Sequence, residues 1–495
     1  MKLSNDLFEL ISSMSKSEKR YFVLQSNLHK GNKQYIRLFN ALEKLDVYNE
    51  KEFRKLHADK SFVKNLAFSK NHLYGLLIRS LTDFSAGRSA DAKIHSLISE
   101  CKVLFRKTLY PRYFRTIEKA KQLALKHERY GYVMQIMEME KIIVRKEEQS
   151  EEKINSLHRE FSETADKMKN VFEYSRISGL LLDSFRKFGL TRGESQLHAI
   201  DHITDHQLMR STDEALSSKS LEGYFRVKEL VALARGDYES AYKAQLKRLE
   251  TVKGDPSPFL DQVINYRSDI LYSLLETSLQ LNRPSEAGEY LKEIREILDN
   301  SKDSLDDFEI YRSFVYFRRY LSAGEIKKAG KLIPRLEHVL KKYENKMLID
   351  TELSIMFYIV KCRMMEGKYS AALKAANMLG AHPLLGKRAD YESYLKIMNL
   401  VIHYELKNFE LLRYLLITAY RFLYKRKKLF KVEMLVLEFI RKLPKVKNEH
   451  DLSFIFSRMQ KELAKLKQDK YEKNAFEYFD FSEWINKKIT KKSVV

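Results

Sequence analysis

Apolar residues recur three and four positions apart along nearly the whole chain, the spacing of one buried face on an α-helix. Alternating patterns that would mark strands are short and rare. Breakers fall where such helices should stop: Pro111, Gly193, the run Gly254-Asp255-Pro256-Ser257-Pro258, Pro383 and Pro444. The pattern predicts an all-α protein. Over residues 1–112 it predicts helices near 4–13, 17–28, 32–45, 50–57, 60–66, 69–85 and 91–107. Ser15 and Glu18 form a capping box at the start of the second, each able to bond the other's backbone N–H. Helices near 113–127 and 130–147 follow, then a longer stretch over 154–190 with Ser178-Gly179 as its weakest point.

A repeat organises the second half. Five segments share one pattern: Gly236-Asp237-Tyr238-Glu239-Ser240-Ala241, Asn282-Arg283-Pro284-Ser285-Glu286-Ala287, Gly324-Glu325-Ile326-Lys327-Lys328-Ala329, Gly367-Lys368-Tyr369-Ser370-Ala371-Ala372 and Lys407-Asn408-Phe409-Glu410-Leu411-Leu412. Their sixth positions are 46, 42, 43 and 40 residues apart. Each segment follows one apolar helix and precedes another, so each is read as the corner of a helix pair. The small sixth residue lets two helices approach, and Ala241, Ala287, Ala329, Ala372 and Leu412 are expected to be buried. Pro334, about ten residues into the helix that begins near Glu325, predicts a kink or break at Ile333–Pro334, because proline removes a backbone bond and clashes one turn back.

These corners resemble the turn of the tetratricopeptide repeat. Four of the five following helices keep apolar residues four and seven places on; the first departs, with Gln245 and Arg248. The first helices depart too, carrying Glu229, Leu275, Phe317, Val360 and Leu400 where the repeat has a small residue. The resemblance implies a right-handed α-solenoid of antiparallel helix pairs over 216–447, preceded by a basic N-terminal helical module (1–112) and long helical hairpins (113–215), and closed by capping helices over 448–495. It also implies a groove lined by the first helix of each pair. Carried onto this chain, the groove residues are Arg226, Tyr272, Arg318, Lys361 and Tyr394; the alternative is that they pack inside a tightly wound solenoid. Taken whole, the chain also resembles an uncharacterised bacterial family with Ser17-Glu18-Lys19-Arg20-Tyr21-Phe22 near its start and Phe476-Glu477-Tyr478-Phe479-Asp480-Phe481 near its end, a likeness that implies no function.

Composition narrows the classes. Only 16 Gly and 7 Pro occur in 495 residues, less than half the roughly 7% and 5% of an average chain. That argues against sandwiches, barrels and glycine-rich phosphate loops. Cys101 and Cys362 alone cannot build a disulfide framework or a thiolate metal site. No apolar run approaches a membrane span and the start does not read as a signal peptide, so a soluble, cytoplasmic protein is expected. Net charge is +23, concentrated at the ends: residues 1–112 hold 21 basic and 11 acidic side chains, residues 421–495 hold 20 and 10. Such a balance suits an acidic partner.

Candidate chemistry is thin. Glu52–Leu81 could form a helix-turn-helix presenting Ser69, Lys70, His72 and Arg79 to DNA, or a plain bundle. His198, His202 and His206 would share a helical face beside Asp201 and Asp205, which reads as a metal-binding pair with a third histidine a turn away or as a polar, exposed helix; a catalytic site would need an open position and further ligands, and no His-Glu-x-x-His pattern is present. Lys425-Arg426-Lys427-Lys428 lies between two helices and reads as a contact for an acidic partner or as a solvated turn. Asp480 can cap a last helix whose stripe of Phe481, Trp484, Ile485 and Ile489 covers the stack, or, as a basic amphipathic helix, touches a membrane surface. No catalytic, metal or cofactor motif is found, so no cofactor is expected. The sequence points to a non-catalytic protein–protein interaction scaffold that binds an extended, partly acidic protein segment in its groove. The alternative is a nucleic-acid-binding regulator that uses the basic N-terminal helices, with the repeats sensing a partner.

Overall fold

A computed structural model describes residues 5–28, 34–45, 47–86, 89–144, 151–259, 263–299, 305–344, 347, 349–446 and 448–490. Every regular element among them is helical. Contacts divide the chain into two units, residues 1–168 with 256–262, and residues 169–255 with 263–495. The main division falls inside the helix Glu151–Phe188. An unbroken helix carries no compositional break, so this boundary has no mark in the sequence.

The repeated corners explain why the chain reverses where it does. Gly236, Asn282, Gly324, Gly367 and Lys407 all adopt the left-handed backbone conformation, with φ between 57° and 74°. At each, two successive N–H groups fold back onto the last turn of the helix just ended: Gly236 to Leu233 and Asp237 to Ala232, for example, or Lys407 to Tyr404 and Asn408 to His403. This is the Schellman arrangement, which satisfies two otherwise unpaired carbonyls and turns the chain within three residues. The pairs so made are Ser218–Ala234 with Tyr238–Gly254, Val263–Gln280 with Pro284–Asp299, Leu305–Ser322 with Ile326–Lys342, Ile349–Met365 with Tyr369–Gly380, and Ala389–Glu405 with Phe409–Lys425. The helices of each pair pack along one another, and successive pairs touch. Ala241, Ala287, Ala329, Ala372 and Leu412 are all buried, as their spacing required.

The first pair's departures have a shared cause. Glu229, Gln245 and Arg248, the polar residues at positions that are otherwise small or apolar, are buried against one another. Arg248 donates to Glu229 at 2.5 Å and to Glu222 at 2.8 Å, and Gln245 donates to Glu229 at 3.2 Å. A buried charge is tolerable when paired and hydrogen-bonded in this way. The expected break at Pro334 is absent: the helix Ile326–Lys342 runs through it. The residue one turn back is Gly330, where a Cβ would meet the Glu366 carboxylate.

In the first unit, Asp6–Ser13, Lys16–Leu28, Gln34–Glu43, Glu50–Leu56, Ser61–Lys64 and Leu66–Ala86 enclose one core around Leu7, Phe22, Phe39, Phe53, Phe62 and Leu77. The capping box forms, with the Ser15 N–H 2.7 Å from Glu18 Oε2 and the Glu18 N–H 3.3 Å from Ser15 Oγ. A second core gathers Ile94, Ile98, Cys101, Tyr113, Ile117 and Val133 from Ala90–Arg106, Tyr110–Lys126 and Tyr130–Val144. Its corners repeat the Schellman turn at Thr108 and Glu128, with φ of 57° and 48°. Neither residue type announces such a turn, so the sequence pattern passed over them.

Two stability predictions follow from these corners and the residues behind them. Ala372→Lys should lower the unfolding free energy by about 2–5 kcal/mol, through overpacking and a buried charge, read by urea denaturation. Thr108→Gly should raise it by about 1 kcal/mol, because a β-branched residue is strained at positive φ and glycine is not, whereas Gly324→Ala should lower it by a similar amount.

Candidate functional site

The face made by the first helices of the pairs is where the groove residues were expected, and it is largely covered by the chain itself. Residues 472–484 lie along it in the second unit. Asn474 packs against Gly236, where a Cβ would collide with its amide, and donates to the Thr191 carbonyl at 2.8 Å. The Tyr238 hydroxyl bonds the Glu477 carboxylate. Tyr478 stacks on Tyr394 with ring centroids 4.4 Å apart, and its hydroxyl accepts the Leu190 N–H at 3.0 Å. Phe479, Phe481, Trp484 and Ile485 are buried in the core of the last two pairs. Asp480 caps the helix Phe481–Thr490 through the Ser482 N–H, and Trp484 Nε1 donates to Glu405 at 2.6 Å. With its apolar stripe buried, this helix covers the stack and has no free stripe to offer a lipid surface.

One buried ion network seats the segment. Arg192 donates to Glu433 through both terminal nitrogens, at 2.8 and 3.0 Å, and to Glu472 at 2.6 Å. It also donates to the Tyr394 hydroxyl at 2.6 Å, which in turn donates to Glu433 at 2.8 Å. Burial, together with the Glu433 carboxylate, pushes the Tyr394 phenol well above its ordinary range. Glu472 accepts the N–H groups of Lys431 and Val432, so a carboxylate some forty residues downstream caps the helix Lys431–Lys442.

The expected groove residues divide accordingly. Tyr394 is buried in that network, and Arg318 is buried with Glu276 at 2.8 Å and its guanidinium 3.7 Å above the Tyr358 ring. Both are committed to the chain's own partners, and Arg318 also lines the cavity beside Lys361. Arg226 is partly buried and paired with Glu229 at 3.2 Å, and Tyr272 packs against the core of the third and fourth pairs. Lys361 differs. Its ammonium donates to the Glu477 carbonyl at 3.1 Å and lines a cavity of about 390 Å³ with Arg318, Tyr358, Tyr369, Glu483 and Trp484. Burial, with the Arg318 guanidinium nearby, lowers Lys361 to about 8.

The basic run divides too. Lys425 and Lys427 are exposed, and Arg426 pairs with Glu392 at 2.7 Å. Lys428 is buried and donates to the Phe188 carbonyl at 2.6 Å, and burial lowers it to about 8. Its place as a surface contact is corrected: the Schellman turn at Lys427 swings the next side chain inward. Other expected chemistry is also placed. The helix begins at Leu66 rather than after Phe68, and Lys70 on it is buried beside Glu50 at 2.9 Å, so it does not project from a recognition helix. The helix carrying His198 and His202 ends at Thr204, and His206 instead accepts the Leu208 N–H, so the three share no face. Among the described residues no group of three or more His, Cys, Asp or Glu side chains could hold a metal ion. Cys101 and Cys362 are buried, and burial raises their thiols to about 11 and about 12. No described helix is long and apolar enough to cross a membrane.

An unfolded lysine titrates near 10.5 and Lys361 near 8. Between those values the unfolded chain holds a proton that the folded chain has lost, so this residue makes stability rise with pH across that window. Chemical denaturation should show the stability of the natural protein, relative to that of Lys361→Met, increasing with pH across that window. Lys428→Ala should cost about 1–3 kcal/mol by leaving a buried carbonyl unpaired, while Lys425→Gln and Lys427→Gln should stay within about 0.5 kcal/mol.

No protein-family model matches the chain, and no curated protein matches its sequence. Among solved structures, the apo form of RapI aligns with a TM-score of 0.37 and 10% identity, over 76% of this chain and 98% of that one; so distant a likeness implies nothing about what this chain binds.

Proposed function

We propose that the protein is a non-catalytic interaction scaffold, a right-handed stack of helix pairs acting in the cytoplasm, that binds an extended and partly acidic segment of another protein on the face of its first helices. The observation that carries this reading is the seating of residues 472–484, rich in carboxylates and aromatic rings, on that face. The surface therefore suits this class of segment. One opening on that face is the cavity beside Lys361, where an ammonium held by one backbone carbonyl stands among aromatic walls and the acidic residues Glu477, Asp480 and Glu483. A carboxylate arriving there gains a charge-assisted bond, and its neighbouring apolar atoms gain ring contacts. The kinship with the bacterial family that carries the two end motifs belongs to the same proposal.

The test is affinity capture from the native cell with the full chain and with Lys361→Gln and Lys361→Glu, quantified by mass spectrometry. Arg318 is left intact, since reversing it would set a second carboxylate against Glu276. Loss of a defined set of partners from both variants, with melting temperature retained, supports the reading. The same partners in the same amounts overturn it.

A further inference from the structure

A different surface lies on the second helix of the fifth pair. The helix Phe409–Lys425 buries Leu412, Ala419 and Leu423. Its opposite side leaves large rings in water: Tyr414 is 65% exposed, Tyr420 50% and Tyr424 69%, with Ile417 between them at 53%. An apolar and aromatic surface of this extent is a mark of a binding face. The Tyr420 and Tyr424 rings lie one turn apart, their centroids separated by 6.1 Å and their planes by only 10°, so they offer near-parallel π faces.

Cations flank these rings. Arg413, Arg421, Lys425 and Lys427 are exposed and have no side-chain partner among the described residues. Their neighbours in the same run differ: Arg426 pairs with Glu392 and lies over Phe422, and Lys428 is held by the Phe188 carbonyl. The helix itself carries a single acid, Glu410, in its first turn. The surface thus combines unpaired positive charge with open aromatic faces over about 15 Å of helix, from 1.5 Å of rise per residue. A polyanion with exposed planar bases matches both properties at once, whereas a duplex hides its bases and a peptide whose only ligating groups are carboxylates leaves the parallel rings without a planar partner.

We propose that this face binds single-stranded nucleic acid, with bases stacked on Tyr414, Tyr420 and Tyr424 and phosphates held by Arg413, Arg421, Lys425 and Lys427. Stacking of this kind is tolerant of sequence and tracks the backbone charge. The site is independent of the Lys361 cavity, so its failure leaves the groove proposal standing.

The experiment is fluorescence anisotropy with the full chain and labelled oligothymidine or oligouridine of about 20 nucleotides, long enough to span such a site. A duplex and a polyglutamate of the same length serve as comparators. Neutralising four phosphates of a single strand should give a log–log salt slope of about −3. Arg421→Glu with Lys425→Glu should reduce that slope to about half or less. Tyr414→Ala, Tyr420→Ala and Tyr424→Ala should each weaken binding about tenfold, and the corresponding Phe variants should retain it, because stacking needs the ring and not the hydroxyl. These side chains are exposed, so the melting temperature serves as the control for folding. The proposal is overturned if single strands do not bind, if polyglutamate or duplex binds as tightly, or if the Tyr→Ala variants bind like the natural protein.

Discussion

Arg192 is the charge on which the arrangement of the second unit turns. Buried with Glu433 and Glu472, it joins three stretches far apart in sequence: the chain leaving the helix Glu151–Phe188, the helix Lys431–Lys442 and the turn that begins the covering segment. Its solvation has been given up, and so has that of both carboxylates. Only simultaneous pairing offsets this, which makes the network intolerant of partial assembly. Tyr394 completes it by donating to Glu433 and accepting from Arg192. The segment 472–484 is therefore fixed by directional polar contacts as well as by the aromatic side chains it buries. Apolar packing alone would permit it to slide; the ion network sets its register.

The repeat stack was legible in the sequence because its signal is local. A left-handed corner residue, a small residue five places on and an apolar stripe all lie within one helix pair, and each has a physical cost if changed. Even so, the signal depends on residue type. Gly236, Gly324 and Gly367 announce their corners, whereas Thr108, Glu128 and Lys427 make the same turn without the residue that makes it easy. The first pair's polar residues looked like departures from the repeat when read one at a time. Glu229, Gln245 and Arg248 become intelligible only as a set, since each is the partner that makes the others tolerable.

The site was legible in its chemistry and not in its occupancy. Counting back from the corners found helices whose exposed face in an open stack would hold a peptide. It also found the mixture of aromatic and basic side chains that suits an acidic one. What counting could not find is that residues 472–484 of the same chain meet that description. Lys361 meets the segment through a backbone carbonyl and keeps a side on the cavity, whereas Arg318 is paired with Glu276 and Tyr394 with Glu433, partners that lie outside the segment. Lys428 was misplaced for a related reason: in a run of four cations, the handedness of one corner decides which of them points inward. The stacked tyrosines of Phe409–Lys425 were visible in sequence only as part of a helical stripe, since which side of that stripe is buried depends on the neighbouring helices.

Repeat stacks ordinarily behave as one-dimensional objects, in which each unit knows only its neighbours and either end can unravel alone. The contacts of residues 472–478 remove that freedom here. Leu190 with Tyr478, Thr191 with Asn474 and Arg192 with Glu472 join residues 288, 283 and 280 positions apart. Such closure adds long loops to an otherwise local set of contacts, and folding slows as the sequence separation of contacting residues grows. It also changes the order of events during synthesis, which proceeds from the N-terminus. The early pairs can form as they emerge, but Arg192 waits for a carboxylate made some 280 residues later. Until then the face of the first helices stands open, with Arg192 and Lys361 lacking the partners that residues 472 and 477 supply. The nascent chain thus displays, for the time taken to make those residues, a surface that the finished molecule keeps largely to itself.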